Sequence, residues 1–202
     1  RDQTKLAFVA QVNNQLYLHI YDLSKQQITF TQEIDKQSHL LSWSNNNESI
    51  YMSIASANIY DIWQFDIAKQ HKKKIALAAG LMAKESVTGQ LVFGDLTNRQ
   101  LMMKNSNGST DILKSFKNIS LLVRPHSIKY LHNDQRVLYV EKHPLEQKVV
   151  SSSLSHSADK KVTFSLSTDS YITDLGKHES NYVLFDKLNT NTSQLTLLNA
   201  AK

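Results

Sequence analysis

The residues of this chain that could support catalysis or metal binding are eight histidines and eighteen acidic residues, and there is no cysteine among the 202 residues. Without cysteine, the chain can form no disulfide, thiolate metal site or cysteine nucleophile. The histidines never recur at the i, i+2 spacing that would put two ligands on one strand face, and the nearest to it are His126 and His132. Nucleophile-elbow, phosphate-loop, zinc-helix and dinucleotide motifs are also missing. The sequence therefore predicts a non-catalytic protein without a metal or cofactor.

The chain is organised as tandem copies of one segment. Trp43–Ser53 and Leu131–Glu141 align without a gap, and each reads as a strand, a polar turn and a second strand. A third copy spans Leu175–Leu184, and weaker copies lie at Lys5–Val9 and Gln90–Gly94. Each copy contains one aromatic residue in its second strand, and successive aromatic residues are 43, 42, 46 and 43 positions apart. These residues are Phe8, Tyr51, Phe93, Tyr139 and Tyr182.

The repeat predicts short strands rather than helices, because apolar and polar residues alternate and β-branched and aromatic residues are enriched. Each full repeat has room for four strands, A to D, with the aromatic residue on strand B. One four-stranded sheet cannot bury both faces alone, whereas sheets packed face to face around an axis can. We therefore predict an all-β chain, a β-propeller of about five four-stranded blades or a fragment of a larger one. The five aromatic residues should occupy equivalent, largely buried positions.

The predicted domain is a single propeller covering residues 1–202. The chain opens on a B strand and ends on a C strand, so both end blades are expected to be incomplete. The blade boundaries fall at approximately 1–35, 36–78, 79–116, 117–167 and 168–202.

The repeat resembles the TolB-type, WD40-like propeller repeat. That repeat has a Trp-Ser-Pro-Asp-Gly turn, then an Ile-x-Phe or Ile-x-Tyr strand, then a strand ending in Asp-Leu. Trp43-Ser44, Ile50-Tyr51 and Phe65-Asp66-Ile67 match it, as do Ala7-Phe8-Val9 and Tyr21-Asp22-Leu23. The match extends over nearly the whole chain and is sharp in two blades.

The sequence departs from that repeat at the turn, where Asn45-Asn46-Asn47 replaces Pro-Asp-Gly. Degenerate, Asn- and Gln-rich TolB-like propellers look like the extracytoplasmic sensor part of CadC- or ToxR-type winged-helix transcriptional regulators. The resemblance implies a periplasmic domain that senses a ligand or protein, contacts no nucleic acid itself and meets the membrane only through a segment outside this chain. Two alternatives are a TolB-like protein-assembly scaffold and an accessory propeller of a prolyl-oligopeptidase-like peptidase.

The expected ligand-binding residues lie on strand A, the innermost strand of each blade, which lines the axial opening of a propeller. Strand A supplies His39, Lys84, Lys129 and Tyr171. Their polar and mildly basic character predicts a site for a small anionic molecule or for a peptide of a protein partner. The alternative is that each of them only hydrates the channel.

Two further groups have both a structural and a binding interpretation. Lys69 and Lys72–Lys74 are the dense part of a formal charge of +5. They are interpreted as a solvated hairpin turn, with an anion-binding patch as the alternative. Tyr60 and Trp63 are expected to pack on the next blade, with a recognition patch as the alternative.

The sequence contains no apolar run of about 20 residues, the length of a transmembrane helix. The segment Arg1–Lys5 also lacks the apolar core of a signal peptide. Any membrane anchor or export signal is therefore expected outside this chain.

Overall fold

The computed structural model describes residues 4–57, 59–117, 120–121, 127–131, 135–155, 159–167, 170–175, 182–189 and 192–199. These residues form antiparallel strands joined by turns, in five separate sheets. No helix that could cross a membrane occurs among them. The all-β prediction is confirmed.

Sheets 1 and 2 come from the first part of the chain. Sheet 1 has the order β1-β2-β3, and sheet 2 the order β4-β5-β6-β7. The strands of sheet 1 are β1 (Lys5–Val12), β2 (Gln15–Asp22) and β3 (Gln27–Ile34). The strands of sheet 2 are β4 (Ser38–Trp43), β5 (Ser49–Ser56), β6 (Ile59–Asp66) and β7 (His71–Ala76).

Sheets 3 to 5 follow in chain order. The strands of sheet 3 are β8 (Ala83–Glu85), β9 (Leu91–Asp95), β10 (Gln100–Lys104) and β11 (Thr110–Ser115). The strands of sheet 4 are β12 (Ser120–Leu121), β13 (Ile128–Leu131), β14 (Arg136–Lys142), β15 (Glu146–Ser153) and β16 (Lys160–Ser167). In sheet 4, β12 and β13 both pair with β14. The strands of sheet 5 are β17 (Ser170–Leu175), β18 (Tyr182–Asn189) and β19 (Thr192–Asn199).

Asparagine and aspartate side chains shape the turns. Asn13 and Asn14 have φ values of 49° and 64° and join β1 to β2 as a two-residue turn. Positive φ at both positions matches the twist of a tight hairpin, and Asn tolerates it. At the end of β2, Asp22 Oδ1 accepts hydrogen bonds from the Ser24 hydroxyl at 2.6 Å and from the Lys25 amide at 3.0 Å. This contact gives a structural reason for the aspartate that ends the strand in the repeat.

Among the described residues, three apolar clusters lie between successive sheets from sheet 1 to sheet 4. Leu18 and Ile20 of sheet 1 pack with Ile50, Met52 and Phe65 of sheet 2. The second cluster joins sheets 2 and 3 and includes Leu41, Tyr51, Ile62, Ala83, Leu91 and Phe93. The third joins sheets 3 and 4 and includes Val92, Leu101, Met103, Val137, Tyr139 and Val150. Sheets 1 to 4 therefore pack face to face in chain order, as the repeat predicts.

The innermost strands are identified by their contacts between sheets. Strand β8 contacts both β4 and β13, each of which lies at one edge of its own sheet. Sheets 2, 3 and 4 therefore converge on these three strands, which are the A strands of the repeat.

The prediction that the aromatic residues are equivalent is wrong for Tyr51. Tyr51, Phe93 and Tyr139 are all buried, but Phe93 and Tyr139 face the preceding sheet, whereas Tyr51 faces the following one. Phe8 is half-buried and faces away from sheet 2, because Ala7 and Val9 pack in the cluster between sheets 1 and 2. The side chain of Tyr182 lies outside the described residues.

A one-residue error in the alignment explains the difference. Trp43 pairs with Ile50, and Tyr130 pairs with Val137, across hairpins of equal length. Tyr130, rather than Leu131, is therefore the equivalent of Trp43. Successive residues of a strand point to opposite faces, so a shift of one residue moves each side chain to the other face.

Candidate binding surfaces

Three of the predicted ligand-binding residues lie on the A strands, His39 on β4, Lys84 on β8 and Lys129 on β13. Lys84 of β8 and Lys129 of β13 are half-buried and stand opposite Val92 and Leu138 in their hairpins. Val92 precedes Phe93 and Leu138 precedes Tyr139, and both aromatic residues face the preceding sheet. Lys84 and Lys129 therefore occupy equivalent positions, on two strands that contact each other. We call Lys84 and Lys129 the inner lysine pair.

His39 and Tyr171 are placed differently. His39 is exposed and lies opposite Ser53, whereas the sheet 2 equivalent of the inner lysines is Ser42, which lies opposite Tyr51. His39 therefore shares their face but lies farther along its strand, with its ring 5.7 Å from that of Tyr60. Tyr171 belongs to β17 and pairs with Asp186, and its side chain lies outside the described residues.

Polar contacts connect the inner parts of neighbouring sheets. Ser42 donates a hydrogen bond to the Ala83 carbonyl at 3.2 Å, and Tyr130 donates one to the Gln90 carbonyl at 2.8 Å. Burial raises the pKa of the Tyr51 hydroxyl, and Glu85, to which it donates a hydrogen bond, raises it further. These contacts fix how the sheets sit against each other around the inner lysine pair.

A cleft of about 590 Å³ opens between sheets 1 and 2. This outer cleft has an apolar floor and a polar rim, and neither His39 nor the inner lysine pair lines it. The floor consists of Ile34, Met52, Ile54, Trp63 and Phe65. The rim includes Gln15, Gln32, Asp35, Lys36, Gln70 and Lys72.

Trp63 lies beneath two lysines at the edge of the outer cleft. The Nζ atoms of Lys72 and Lys74 are 5.4 and 5.0 Å from its ring centroid. Lys72 also pairs with the Asp35 carboxylate at 2.7 Å, which joins β7 to the segment after β3. Lys74 pairs with the buried Asp61 at 2.8 Å. Burial would raise the pKa of Asp61, but hydrogen bonds from Lys74 and the Ala78 amide outweigh it and lower the pKa below its usual value.

The comparisons with known proteins give a fold and no family. No family model matches the chain, and no curated protein matches it in sequence. Among solved structures, the β-propeller domain of the Trilobed protease from Pyrococcus furiosus superposes with a TM-score of 0.63 at 11% identity, covering 99% of this chain and 64% of that domain. TolB from Acinetobacter baumannii gives a TM-score of 0.57 at 15% identity over 77% of this chain and 39% of TolB.

The fold is that of a β-propeller. Oligopeptidase B from Leishmania major also matches, with a TM-score of 0.58 at 10% identity over all of this chain and 30% of the peptidase. The chain thus spans less than two thirds of each of these three proteins. Sheets 1 to 5 are blades of a propeller or of part of one, and TolB is among the proteins that share the fold.

Two interpretations of the sequence are corrected by the blade geometry. Trp63 does not pack on the next blade with Tyr60: it lies opposite Met52 on the face toward sheet 1, and Tyr60 points to the other face. The lysine run is not only a turn, because Lys72–Lys74 belong to β7. Lys72 and Lys74 share one face of β7, and they lie opposite Phe65 and Trp63 of the neighbouring strand. This spacing was the signal in the sequence that could have revealed the contact with Trp63.

Proposed function

We propose that the chain is a non-catalytic binding module that holds an anionic ligand, or an acidic tail of a protein partner, at its inner strands. The supporting observation is the inner lysine pair, because Lys84 and Lys129 occupy equivalent positions on two strands that contact each other where the blades converge. A ligand held there would contact more than one blade. Among the described residues no group of three or more potential metal ligands occurs, so the proposal includes no metal.

We further propose that this module is the periplasmic sensor region of a membrane-bound transcriptional regulator. This step rests on the resemblance of the repeat to the propellers of CadC- and ToxR-type regulators. A scaffold for protein assembly is the second candidate, and the likeness to TolB favours it. An accessory propeller is the third candidate, and the likeness to oligopeptidase B favours that one.

Thermal denaturation tests the binding proposal. A ligand at about a hundredfold excess over its Kd adds about 2.7 kcal/mol to the free energy of unfolding, which raises the melting temperature by several degrees. Citrate, inorganic phosphate and an acidic hexapeptide serve as probes for the wild type and for the Lys84→Ala, Lys129→Ala double variant. A stabilising probe whose effect is lost in the double variant supports the proposal. A probe that stabilises both proteins equally contradicts it.

The sequence of the surrounding gene separates the three candidates. A winged-helix segment and an apolar span of about 20 residues ahead of this chain would support the regulator. A neighbouring Gly-x-Ser-x-Gly hydrolase domain would support the peptidase. A signal peptide with no other domain would support the scaffold.

A further inference from the structure

The turn that joins β10 to β11 contains an asparagine followed directly by a glycine. Of the asparagines in the chain, Asn107 is the one that glycine follows. Asn107 and Gly108 are both exposed, and Gly108 has a φ of 90°. No described atom beyond its chain neighbours lies within 4 Å of the position that a Cβ of residue 108 would occupy. The side-chain amide of Asn107 therefore stands in solvent beside a main-chain nitrogen that no side chain shields.

These two residues can react with each other. The main-chain nitrogen of Gly108, after losing its proton, attacks Cγ of Asn107. The new N–Cγ bond closes a succinimide ring, the Cγ–Nδ2 bond breaks, and ammonia leaves with the proton. Water then opens the ring at the side-chain carbonyl, which gives aspartate, or at the main-chain carbonyl, which gives isoaspartate. The sequence of steps consumes one water and releases one ammonia, with no oxidation or reduction.

Ser109 activates the carbonyl that is attacked. Its main-chain N–H and its hydroxyl donate hydrogen bonds to Asn107 Oδ1 at 2.9 and 2.8 Å. Both donors draw electron density away from Cγ, and both point at the oxygen on which negative charge develops during the attack. The turn therefore favours attack at Cγ, although water screens part of this effect at an exposed position.

One hydrogen bond of the turn opposes the reaction. The Gly108 N–H donates to the Asn105 carbonyl at 2.9 Å, so the attacking nitrogen is engaged in the folded turn. A single exposed hydrogen bond adds little net free energy, and the need to release it slows the attack by about two- to tenfold. The folded chain should therefore react within about tenfold of the rate of the unfolded chain.

Asn98 supplies an internal reference for the effect of glycine. It is exposed in the turn between β9 and β10 of the same sheet, and Arg99 follows it. A side chain on the following residue crowds the nitrogen that must attack and restricts the main chain, whereas glycine does neither. Asn98 and Asn107 thus share exposure and differ in the residue that follows.

We propose that Asn107 is a site of spontaneous deamidation, which converts it through a succinimide with Gly108 to aspartate or isoaspartate. This modification goes beyond the function proposed above, because it requires neither a ligand nor the inner lysine pair. Either product adds a negative charge to the turn and lowers the formal net charge of +5 by one unit. Isoaspartate also lengthens the main chain between β10 and β11 by one methylene group.

Ageing of the intact protein tests the modification. The folded wild type is incubated in buffer made with heavy-oxygen water, and acidic variants are followed by cation-exchange chromatography. Peptide mapping by mass spectrometry should find heavy oxygen in a new carboxyl group at position 107, with both aspartate and isoaspartate present. The rate should rise with pH, because the attacking nitrogen must lose its proton. Asn98 in the same samples should remain an amide.

Two variants assign the reaction to this pair of residues. Asn107→Gln keeps an exposed amide but needs a larger ring for the same attack, so the acidic variant should not accumulate. Gly108→Ala keeps Asn107 and places a methyl group beside the nitrogen, so most of the conversion should be lost. Alanine strains a residue with positive φ, and circular dichroism checks that this variant folds. Wild type unfolded in urea gives the reference rate without a turn.

Three results would overturn the proposal. An acidic variant that accumulates equally in Asn107→Gln would come from another residue. Equal conversion of Asn98 and Asn107 would show that the glycine has no effect. If the folded wild type converts more than about tenfold more slowly than the protein in urea, the turn protects Asn107 instead of leaving it reactive.

Discussion

The fully buried carboxylate of Glu141 lies 2.8 Å from the Lys160 ammonium, so an ion pair connects β14 to β16 within sheet 4. His143 Nε2 lies 3.3 Å from the same carboxylate oxygen, and the Tyr139 hydroxyl lies 3.5 Å from the other one. Without these neighbours a carboxylate at this depth would be strongly unfavourable, because burying an unpaired charge costs several kcal/mol.

Replacing Lys160 by Met should therefore destabilise the protein. Met keeps the length of the side chain and removes the charge, which leaves Glu141 with weaker partners. Since Lys160 is 29% exposed, we expect a loss of about 2 to 4 kcal/mol, at or below the range for breaking a fully buried pair. Urea denaturation followed by circular dichroism measures it. The exposed neighbour gives the control, and Lys161→Met should change the free energy of unfolding by less than about 0.5 kcal/mol. Equal losses for Lys160→Met and Lys161→Met would show that the ion pair with Glu141 adds nothing to the free energy of unfolding.

Acid should weaken the fold through two aspartates that are charged in the folded state. A hydrogen bond from the Ser24 hydroxyl lowers the pKa of Asp22, and the Lys25 amide adds to the effect. The pKa of Asp61 is also lowered. A lowered folded-state pKa contributes stability above the unfolded value of about 3.9, and this contribution is lost as the pH falls through the folded value.

Asp61→Asn isolates one of these contributions. The variant should lose about 1 to 2 kcal/mol at pH 7, where the Lys74 pair is intact in the wild type, and the difference should shrink below about pH 3. Urea titrations at both pH values measure it, with Asp111→Asn at an exposed site as the control. A difference that does not change with pH would exclude the charge of Asp61 as the cause.

The alternation of apolar residues and the spacing of the repeat were enough to predict the fold, because both follow from sheets packed face to face. They did not determine which residues of each strand point to which face of the sheet. Tyr51 and Met52 are both apolar enough for either face, and burial on both sides of sheet 2 removes the alternation that would separate them. The packing between sheets decides it, because Met52 lies in the cluster with sheet 1 and Tyr51 in the cluster with sheet 3.

The candidate sites were predictable to different degrees. The inner lysine pair follows from the repeat, because strand A is innermost in every blade. The outer cleft does not, because it depends on Asp35 and Lys72, 37 positions apart in sequence, meeting between two blades. The buried Glu141 resembles any polar residue of a strand in sequence, and its partner Lys160 is 19 positions away.

Trp43 tests the corrected alignment. It is half-buried and packs against the cluster between sheets 1 and 2. Trp43→Ala should cost about 2 to 3 kcal/mol, below the range of about 3 to 5 kcal/mol for fully buried aromatic residues. Its structural equivalent is Tyr130, and Tyr130→Ala should cost at least as much because Tyr130 is buried. Leu131→Ala should cost less, and a larger loss at Leu131 than at Tyr130 would restore the original alignment.

Tyr51 should titrate late among the eight tyrosines, because burial raises its pKa well above the usual value of about 10 and the Glu85 carboxylate raises it further. The same two causes, with Glu141 as the carboxylate, raise the pKa of Tyr139.

A raised folded-state pKa contributes stability below about pH 10. This stability is lost as the pH rises toward the folded-state pKa, because the tyrosines of the unfolded chain ionise first. Absorbance at 295 nm should therefore show a late phase that coincides with unfolding. Tyr51→Phe should reduce that phase and, because Glu85 loses one of its hydrogen-bond donors and keeps the Asn45 amide, lower the free energy of unfolding at pH 7 by about 1 kcal/mol. Tyr60→Phe, which changes a half-buried ring, should leave the late phase intact. If all tyrosines of the wild type ionise together near pH 10 while circular dichroism still shows the folded sheet, the contact between Tyr51 and Glu85 does not form.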